Sequence, residues 1–385
     1  MGLLILGLIL FVLLVVVHEY GHFLVAKRNG VEVDEFGVGF PPKLYGRKMG
    51  KGIFEGYYTI NLLPLGGFVK LKGEHDADTE KGSYGSVKTA AKMRILLAGV
   101  GMNLAAALVL FTIVAWVGMP QLVDNQFTVK NDTTIIRSNV IAGYIASDSP
   151  AAKAGIKSGD IISSVNGETV ATTEQLRQAT RTHAGQTVTI DYVRKGEAAS
   201  AQVQLLNTEE VTASLTTDNP KGYLGVSSTE YKLARSTWSA PIVAIGLTAQ
   251  FTKLTLVGLA NAVSHISQAA FKAVTGHGQQ AKEQASEASE NVSGPVGIFA
   301  ILQQGSALGY QFILFVVALI SLTLAIMNLL PIPALDGGRA FVTGLFRLMK
   351  KPLRPKTEEL IHGTGFAALM LLFVVITVVD VRRFF

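Results

Sequence analysis

The stretch Val15-Val16-Val17-His18-Glu19-Tyr20-Gly21-His22 decides the architecture of this chain, because it places an H-E-x-x-H motif directly after an apolar run. At about 100° per residue, His18 and His22 project from the same side of a helix, and Glu19 lies on the adjoining part of the helix surface. Two such imidazoles can bind one zinc ion, and the glutamate can take a proton from a water. The 17 residues before the motif carry no charge. The motif therefore predicts a metal site at or inside a membrane.

The composition supports a membrane setting. The 385 residues are 49% hydrophobic and only 16% charged, which is too apolar for one ordinary soluble domain and suits a membrane protein with a soluble insert. The chain has no cysteine, so a metal must be held by histidine and carboxylate side chains. The net charge of +6 comes without a dense basic tract interleaved with aromatic residues, so nucleic acid is not an expected partner.

Apolar stretches predict four transmembrane helices. The first lacks the basic start and the small-residue cleavage site of a signal peptide, so we interpret it as an uncleaved helix. The four predicted helices are residues 1–26, 94–119, 309–338 and 363–380.

The first loop, residues 27–93, contains a predicted β-hairpin. Two apolar β-like runs, 57–63 and 68–71, flank the turn sequence Pro64-Leu65-Gly66-Gly67. A plain surface hairpin would explain these residues. Beside a membrane-level site, however, an exposed strand edge could accept an extended substrate by strand addition. The candidate substrate-binding residues are Ile60, Asn61, Leu62, Gly66 and Gly67.

Residues 126–228 have the composition of a soluble α+β domain. A short helix is predicted after Pro150, a strand ends at the turn Asn166-Gly167, and alternating strands follow a helical stretch. Residues 229–308 are mildly apolar and then polar, which predicts one or two amphipathic helices at the membrane surface and a flexible linker over 276–291.

Positive charge predicts the orientation. Residues 27–94 carry 12 Lys/Arg against 8 Asp/Glu, and residues 339–356 carry six Lys/Arg and no acid. The segment between the second and third spans is balanced, with 14 basic and 15 acidic residues. The positive-inside rule then places the two basic loops in the cytoplasm, and both termini and the soluble insert outside. The pair Arg382-Arg383 near the C-terminus argues mildly against this orientation.

A zinc site with two histidines needs a third protein ligand, and Asp336 is the candidate. It follows the third apolar span, where Pro331 and Pro333 break the helix and Gly337-Gly338 allow close backbone approach. Broken backbone at membrane depth is tolerated where it lines a cavity. Asn328, one or two turns earlier, could donate to a developing oxyanion or hold the substrate backbone.

Each part has a simpler explanation taken alone. The histidine motif could be an incidental polar helix end, and Asp336-Gly337 is a common turn pair. Both together, each at the end of an apolar span, favour a metal site. The remaining histidines (His75, His183, His265, His277 and His362) lie in polar surroundings and are expected to be solvated.

These residues carry a family resemblance over nearly the whole chain. His18-Glu19-Tyr20-Gly21-His22 and Asn328-Leu329-Leu330-Pro331 through Leu335-Asp336-Gly337 resemble the H-E-x-G-H and N-x-x-P-x-x-x-L-D-G motifs of bacterial site-2 proteases of the regulator-of-sigma-E-protease type, in the peptidase M50 class. The runs Gly37–Phe40, Pro64–Phe68 and Ser293–Gly297 resemble further segments of that family. One departure is Gly99-Val100-Gly101-Met102-Asn103, which lacks the proline that many members have there; this departure bears on the local helix geometry and not on the metal.

The resemblance implies an intramembrane zinc metalloprotease that cleaves transmembrane segments of pre-trimmed single-span membrane proteins, with anti-sigma factors or signal-peptide remnants as substrates. His18, His22 and Asp336 would hold Zn²⁺, and Glu19 and Asn328 would be catalytic. The implied location is the bacterial inner membrane, with the lipid bilayer as a partner. The alternatives are an inactive membrane-anchored adaptor and a metal transporter, since intramembrane His and Asp also mark ion pathways.

The soluble insert resembles a circularly permuted bacterial PDZ domain. Its carboxylate-binding loop would be Gly222, Tyr223, Leu224 and Gly225, whose backbone amides could capture peptide C-termini. The alternative is that the insert only filters substrates by size. The full prediction is a polytopic α-helical membrane protein of four transmembrane helices, with a membrane-associated β-hairpin and an inserted α+β PDZ-like domain.

Overall fold

The computed structural model describes residues 2–217, 220–276, 279–280, 283–284, 287 and 294–384. The predicted linker over 276–291 and Ser293 lie largely outside the described residues. The helices are α1 (Gly2–Arg28), α2 (Thr89–Leu96), α3 (Ala98–Val117), α4 (Pro150–Lys153), α5 (Thr173–Thr182), α6 (Thr208–Ser214), α7 (Ala240–Val274), α8 (Pro295–Gly305), α9 (Tyr310–Leu329), α10 (Asp336–Leu348) and α11 (Pro355–Phe384). The strands are β1 (Val33–Met49), β2 (Gly56–Leu71), β3 (Met119–Gln121), β4 (Thr134–Ile145), β5 (Ile161–Val165), β6 (Glu168–Thr169), β7 (Thr187–Arg194), β8 (Glu197–Gln204) and β9 (Val226–Arg235).

The chain divides into two compact units. The first comprises Met1–Thr112, Ala244–Gln303 and Ile313–Phe385, and the second comprises Ile113–Val243 and Gln304–Phe312.

Helix α1 carries the histidine motif in the first unit. Its leucine-rich first half has no proline and is apolar on all sides, as expected for a helix in lipid. It ends after Lys27 and Arg28, whose positive charges favour a helix C-terminus, and the Asn29 side chain donates to the Val25 carbonyl at 2.7 Å. The second half is the more buried one, so the motif faces protein.

Strands β1 and β2 form a bent antiparallel sheet beside α1. Residues 36–38 of β1 pair with two separate parts of β2, at 58–60 and at 67–69, while 43–49 pair with 56–61. The strands connect through a 3₁₀ turn at Gly52–Phe54. The predicted hairpin turn at Pro64-Leu65-Gly66-Gly67 is therefore wrong: β2 runs on through these residues. They bend one strand because both of its halves pair with β1, which sequence patterning over 57–71 alone cannot reveal.

A buried ion cluster ties the first loop to α10 and α11. Lys92 is fully buried, and its Nζ lies 2.5 Å from Asp76 Oδ1. The other Asp76 oxygen is 3.1 Å from Arg347 in α10, and the Asp76 backbone N–H donates to Glu358 in α11 at 3.0 Å. Removing one partner of such a pair costs about 3–5 kcal/mol, because the other charge is left unpaired in the interior. Since α10 begins at Asp336, the cluster anchors the helix that carries the predicted third ligand.

The second unit is built on an antiparallel sheet whose strands differ in length. Its strand order is β3-β9-β4-β5-β7-β8, with β6 paired to β5. Alternate residues of β7 (Val188, Ile190 and Tyr192) are buried, as the period of a half-buried strand requires. Helix α5 packs over this core through Leu176 and begins with a capping box between Thr172 and Gln175.

Five helical segments in the described part of the chain are long and apolar enough to cross a membrane: Gly2–Arg28, Thr89–Val117, Ala240–Val274, Tyr310–Leu329 and Pro355–Arg383. The prediction of a multi-pass membrane protein with additional β-sheet is confirmed. The prediction of four spans is not confirmed, because residues 240–274 form one continuous helix rather than short surface helices. Its Gln250, Lys253 and His265 are too sparse to make the segment polar overall.

Candidate metal centre

Three predicted ligands converge in the first unit. His18 and His22, one helical turn apart on α1, place their Nε2 atoms 3.2 Å from each other. Asp336, the first residue of α10, places Oδ2 3.1 Å from the His18 Nε2 and 3.2 Å from the His22 Nε2. Both histidines are buried, and the aspartate side chain is 19% exposed. Ligand atoms separated by about 300 positions in sequence thus form one small triangle.

The triangle fits a zinc ion. Tetrahedral ligands at about 2.0–2.1 Å from zinc lie about 3.3 Å apart, close to the separations found here. The Asp336 Oδ2 atom is buried and accepts no hydrogen bond from the described residues. A buried anionic oxygen in that state calls for a cation. Two imidazoles and a carboxylate, with a fourth position left open, are a donor set typical of catalytic zinc.

The orientation of His22 is held from outside the triangle. Its Nδ1 lies 2.7 Å from the carbonyl oxygen of Ile95, at the end of α2. A carbonyl can only accept, so Nδ1 carries the proton and Nε2 presents its lone pair to the metal position. The His18 Nδ1 has a side-chain neighbour instead, the Asn103 amide at 3.1 Å.

Glycines allow the helices to approach this closely. A Cβ at Gly21 would lie 2.6 Å from Met102 Cγ and 2.7 Å from the Ala98 carbonyl oxygen, so α1 can pack on α3 only without one. A Cβ at Gly99 would lie against the Nε2 atoms of both histidines, 2.6 Å from that of His18. Gly99 therefore forms a wall of the site.

The loop between α9 and α10 presents Asp336. A Cβ at Gly337 or Gly338 would clash with the loop backbone at Leu329 or Ile332, so the loop folds directly over the start of α10. Ala334 adopts φ of +79°, and its N–H donates to His362 Nδ1 of α11 at 3.3 Å. His362 is therefore not simply solvated, contrary to the expectation from sequence; it supports the loop that carries the ligand.

Glu19 and Asn328 border the same cavity. The cavity has a volume of about 250 Å³ and is lined by Val15, His18, Glu19, Asn103, Leu324, Asn328, Ala334, Leu335 and Asp336. The backbone N–H of Val69 in β2 donates to the Glu19 carboxylate. A Cβ at Gly67 would be 3.6 Å from Glu19 Cγ. The Glu19 carboxylate beside the ligand triangle is thus held by the second half of β2.

The candidate substrate-binding residues on β2 differ in their exposure. Ile60 and Leu62 are exposed, whereas Asn61 is buried and donates to the Gly39 carbonyl at 3.1 Å. Gly66 and Gly67 are also buried, next to α1. Within this stretch, the part nearest Glu19 is the bend at Gly67 rather than residues 60–62.

In the second unit, the segment Gly222–Gly225 precedes β9. The carbonyl oxygens of Tyr223, Leu224 and Gly225 accept hydrogen bonds from the backbone of Leu206, Ala151 and Ala146, respectively. Gly225 has φ of +73°, and a Cβ there would collide with Ser149. The loop is therefore tied into its own domain through its carbonyls.

Sequence reasoning missed Gly99, Asn103, His362 and the Ile95 carbonyl. Gly99 and Asn103 belong to a segment that had been noted only because it lacks a proline. An amide within an apolar span is itself a signal, since buried polar groups in membrane helices are costly. The roles of Gly99 and Ile95 depend on close approach of backbone and have no signature in side-chain type.

We expect Gly99→Ala to abolish stable zinc binding, because the added methyl would occupy space that the two imidazole Nε2 atoms need. The matched control is Gly101→Ala on the same helix, where an added Cβ would have no neighbour within 4 Å. Zinc content after gel filtration in detergent checks both variants. Retention of one zinc per chain in Gly99→Ala would contradict the assignment of this wall.

Comparisons with known proteins agree with the site. The model of peptidase family M50 matches residues 6–372. A protein of Clostridium perfringens named as a zinc metalloprotease is 30% identical over 97% of both chains. Zinc metalloprotease RasP of Shouchella clausii is 28% identical, and a protein of Enterococcus faecalis named as the protease Eep is 25% identical, each over 98% of both chains.

The family model covers nearly the whole chain, including the histidine motif on α1 and Asp336 on α10. The relatives match along their full lengths, and their names agree with the zinc geometry of the three ligand atoms. The chain therefore belongs to peptidase family M50 and is a membrane-embedded zinc metalloprotease of the site-2 protease type.

Proposed function

We propose that the protein hydrolyses peptide bonds within or near the transmembrane segments of single-span membrane proteins that have already been trimmed outside the membrane. The observation that carries this proposal is the convergence of His18 and His22, on a helix apolar enough to cross a bilayer, with Asp336, which follows the apolar helix α9. A protease site at that depth can reach peptide bonds that soluble proteases cannot.

His18, His22 and Asp336 are the residues we assign to zinc. Bound zinc supplies Lewis-acid polarisation of a carbonyl and lowers the pKa of water. Glu19, beside the ligand triangle, accepts the proton of the attacking water and delivers it to the leaving amine. Asn328 in the wall of the same cavity donates to the oxygen of the scissile carbonyl as negative charge develops there.

The substrate has to be extended when it is cut, because a helix hides its carbonyls in hydrogen bonds. The bend of β2 at Gly67 lies against Glu19, and Val69 donates to that carboxylate. A substrate strand that adds to the β1–β2 sheet near Gly66 and Gly67 would therefore pass the base. The exposed side chains of Ile60 and Leu62 offer apolar contacts further along the same strand.

Contacts within the first unit support four membrane crossings. At one end of this unit, Gly7 of α1 adjoins Leu302 and Ile313, and Asp380 of α11 accepts from the N–H groups of Gly294 and Gly297 at 2.9 and 2.8 Å. The opposite ends of α1, α9 and α11 hold the ligands and the Lys92–Asp76 cluster. Helices α1, α3, α9 and α11 thus alternate in direction.

The contacts of helix α7 argue against a fifth membrane crossing by this helix. Phe251 of α7 stacks with Phe111 and packs on Phe315. Both of these residues lie close to the end of the first unit at which α8 begins, beside Asp380. A crossing by α7 would require residues 277–293 to cross back, yet they include Lys282, Glu283, Glu287 and Glu290. His265 also contacts Gln284 and Glu287, at 2.8 and 3.1 Å, so these two polar residues lie against α7.

The proposed orientation in the inner membrane has the basic loops inside and the second unit outside, with both termini outside. Because the chain has no cysteine, single cysteines can test it. In spheroplasts, we expect a membrane-impermeant maleimide to label Ser200→Cys and Thr275→Cys directly, and Lys81→Cys and Lys351→Cys only after lysis. Labelling of Lys81→Cys from outside would mean that the orientation is the reverse of the proposed one. Protection of Thr275→Cys from the reagent would mean that α7 crosses the membrane.

We also propose that residues 126–228 form a PDZ-like domain that acts on substrate access. Glu230 of β9 accepts hydrogen bonds from the backbone N–H and the hydroxyl of Thr173 at the start of α5, both at 2.9 Å. This bridge lies between β9 and α5, the strand and the helix that would flank a bound peptide. Its position favours filtering of substrates by size over capture of long peptide C-termini by Gly222–Gly225.

The proposed substrates are anti-sigma factors or signal-peptide remnants, and a cell-based experiment tests this. Membranes from cells that carry only Glu19→Gln should accumulate short fragments with an intact transmembrane segment and a trimmed outer end. Quantitative proteomics of membrane peptides identifies them, and re-expression of the wild-type chain should remove them. An unchanged membrane peptidome would overturn the proposed substrate class.

A further inference from the structure

Asn103 is a polar side chain in an otherwise apolar segment of α3, and the position of its amide is informative. The side chain is 1% exposed, between Met102 and Leu104 in sequence. Ser321 of α9, itself fully buried, donates to the Asn103 backbone carbonyl at 2.8 Å and so secures this turn of α3 against α9. A buried amide inside a membrane helix is costly and points to a specific task.

The Asn103 amide contacts His18 on the side away from the ligand triangle. Its Nδ2 lies 3.1 Å from His18 Nδ1, and its Oδ1 is buried without a hydrogen-bond partner among the described residues. The two ends of an amide have nearly the same shape, so either can face the ring.

The chemistry of the ring decides between these two orientations. If the amide NH₂ faces Nδ1, then Nδ1 must accept, the ring proton moves to Nε2, and Nε2 can no longer bind a metal. If the amide oxygen faces Nδ1, it accepts the Nδ1 proton and leaves the Nε2 lone pair free. The same rotation gives Oδ1 a donor, and it moves the NH₂ group to the buried position that Oδ1 leaves.

We propose that Asn103 is a positioning residue for the zinc site: its side-chain oxygen accepts the His18 Nδ1 proton, and it thereby selects the ring tautomer in which Nε2 binds the metal. The proposal rests on the ligand set assigned above. Asn103 then does for His18 what the Ile95 carbonyl does for His22. The difference is that a side chain can be replaced, so the tautomer of His18 is open to mutation.

Two substitutions separate the acceptor from the rest of the side chain. Asn103→Leu keeps the branched outline of the side chain and removes the acceptor; we expect zinc to bind about 10–100-fold more weakly, as for loss of other outer-shell partners. Asn103→Asp keeps only acceptor atoms, and we expect zinc to bind at least as tightly as in the wild type. The control is Thr112→Val on the same helix, which should bind zinc normally; the Thr112 hydroxyl donates to the Leu108 carbonyl at 2.7 Å.

The measurement is competition of the purified, detergent-solubilised protein with a chromophoric zinc chelator, together with the visible spectrum after cobalt substitution. Asn103→Leu should alter the cobalt bands, and Asn103→Asp should keep them at near wild-type intensity. Thermal melting of the metal-free variants reports any loss of folding separately. Equal zinc affinity in Asn103→Leu and wild type, or weaker binding in Asn103→Asp than in Asn103→Leu, would overturn the proposal.

His18→Ala belongs in the same series because it tests the ligand set independently. Loss of zinc in His18→Ala with normal zinc in Asn103→Leu would leave the ligand assignment standing and remove only the role of Asn103. Full zinc retention in His18→Ala would instead overturn the ligand set itself.

Discussion

Glu19→Gln is expected to lower the rate of cleavage of a model single-span substrate by about 10²–10⁴-fold, the usual contribution of a general base, while zinc stays bound. Glutamine has nearly the same shape as glutamate but cannot accept a proton from water. Since the three ligand atoms belong to other residues, the metal triangle is left intact. Cleavage in detergent or liposomes, measured by mass spectrometry of the products, together with zinc content, checks both halves of this prediction.

Glu168→Gln is the matched control for that experiment. Glu168 lies exposed on the short strand β6 of the second unit and is not among the residues proposed to bind metal or catalyse, so the Glu168→Gln protein should cleave at the wild-type rate. A Glu19→Gln protein that cleaves at the wild-type rate would refute the role of Glu19 as base. Loss of zinc in the same variant would mean that Glu19 acts on the metal rather than on the proton.

Asp336→Asn should weaken zinc binding by more than the 10–100-fold that follows loss of an outer-shell partner, and should remove proteolysis with it. The amide keeps the volume of the carboxylate but lacks its negative charge. The Oδ2 atom lies 3.1 and 3.2 Å from the two histidine Nε2 atoms, so it is one of only three protein donors in the triangle. Zinc content and chelator competition measure the loss.

Asp380→Asn provides the control for this carboxylate. Asp380 is also buried at a helix end within an apolar segment, but its Oδ2 accepts from the N–H groups of Gly294 and Gly297. Its replacement should lower the melting temperature and leave one zinc per chain. If Asp336→Asn kept its zinc, the third ligand would have to be sought elsewhere. If both variants lost zinc in parallel with folding, the effect would be structural.

The candidate site was largely accessible from sequence because its chemistry is carried by residue types that are costly at their positions. Two histidines and a glutamate at the end of an uncharged run, and an aspartate after a proline-broken one, have few explanations in a bilayer. The bend in β2 was not accessible in this way. Pairing of both halves of β2 with the same residues of β1 depends on contacts between residues 22 to 33 positions apart, and Pro64-Leu65-Gly66-Gly67 is equally compatible with a turn.

By itself, the sequence determined the membrane character of this protein, its family and its candidate metal donors, because these follow from hydrophobicity, residue chemistry and helical spacing. Only the tertiary structure decided how those donors are oriented. The Asn103 amide and the Ile95 carbonyl reach the histidines from other helices, Gly99 matters for the side chain it lacks, and Val69 reaches Glu19 through its backbone. Local spacing encodes none of these contacts, since each arises only when separate helices and strands pack within van der Waals distance.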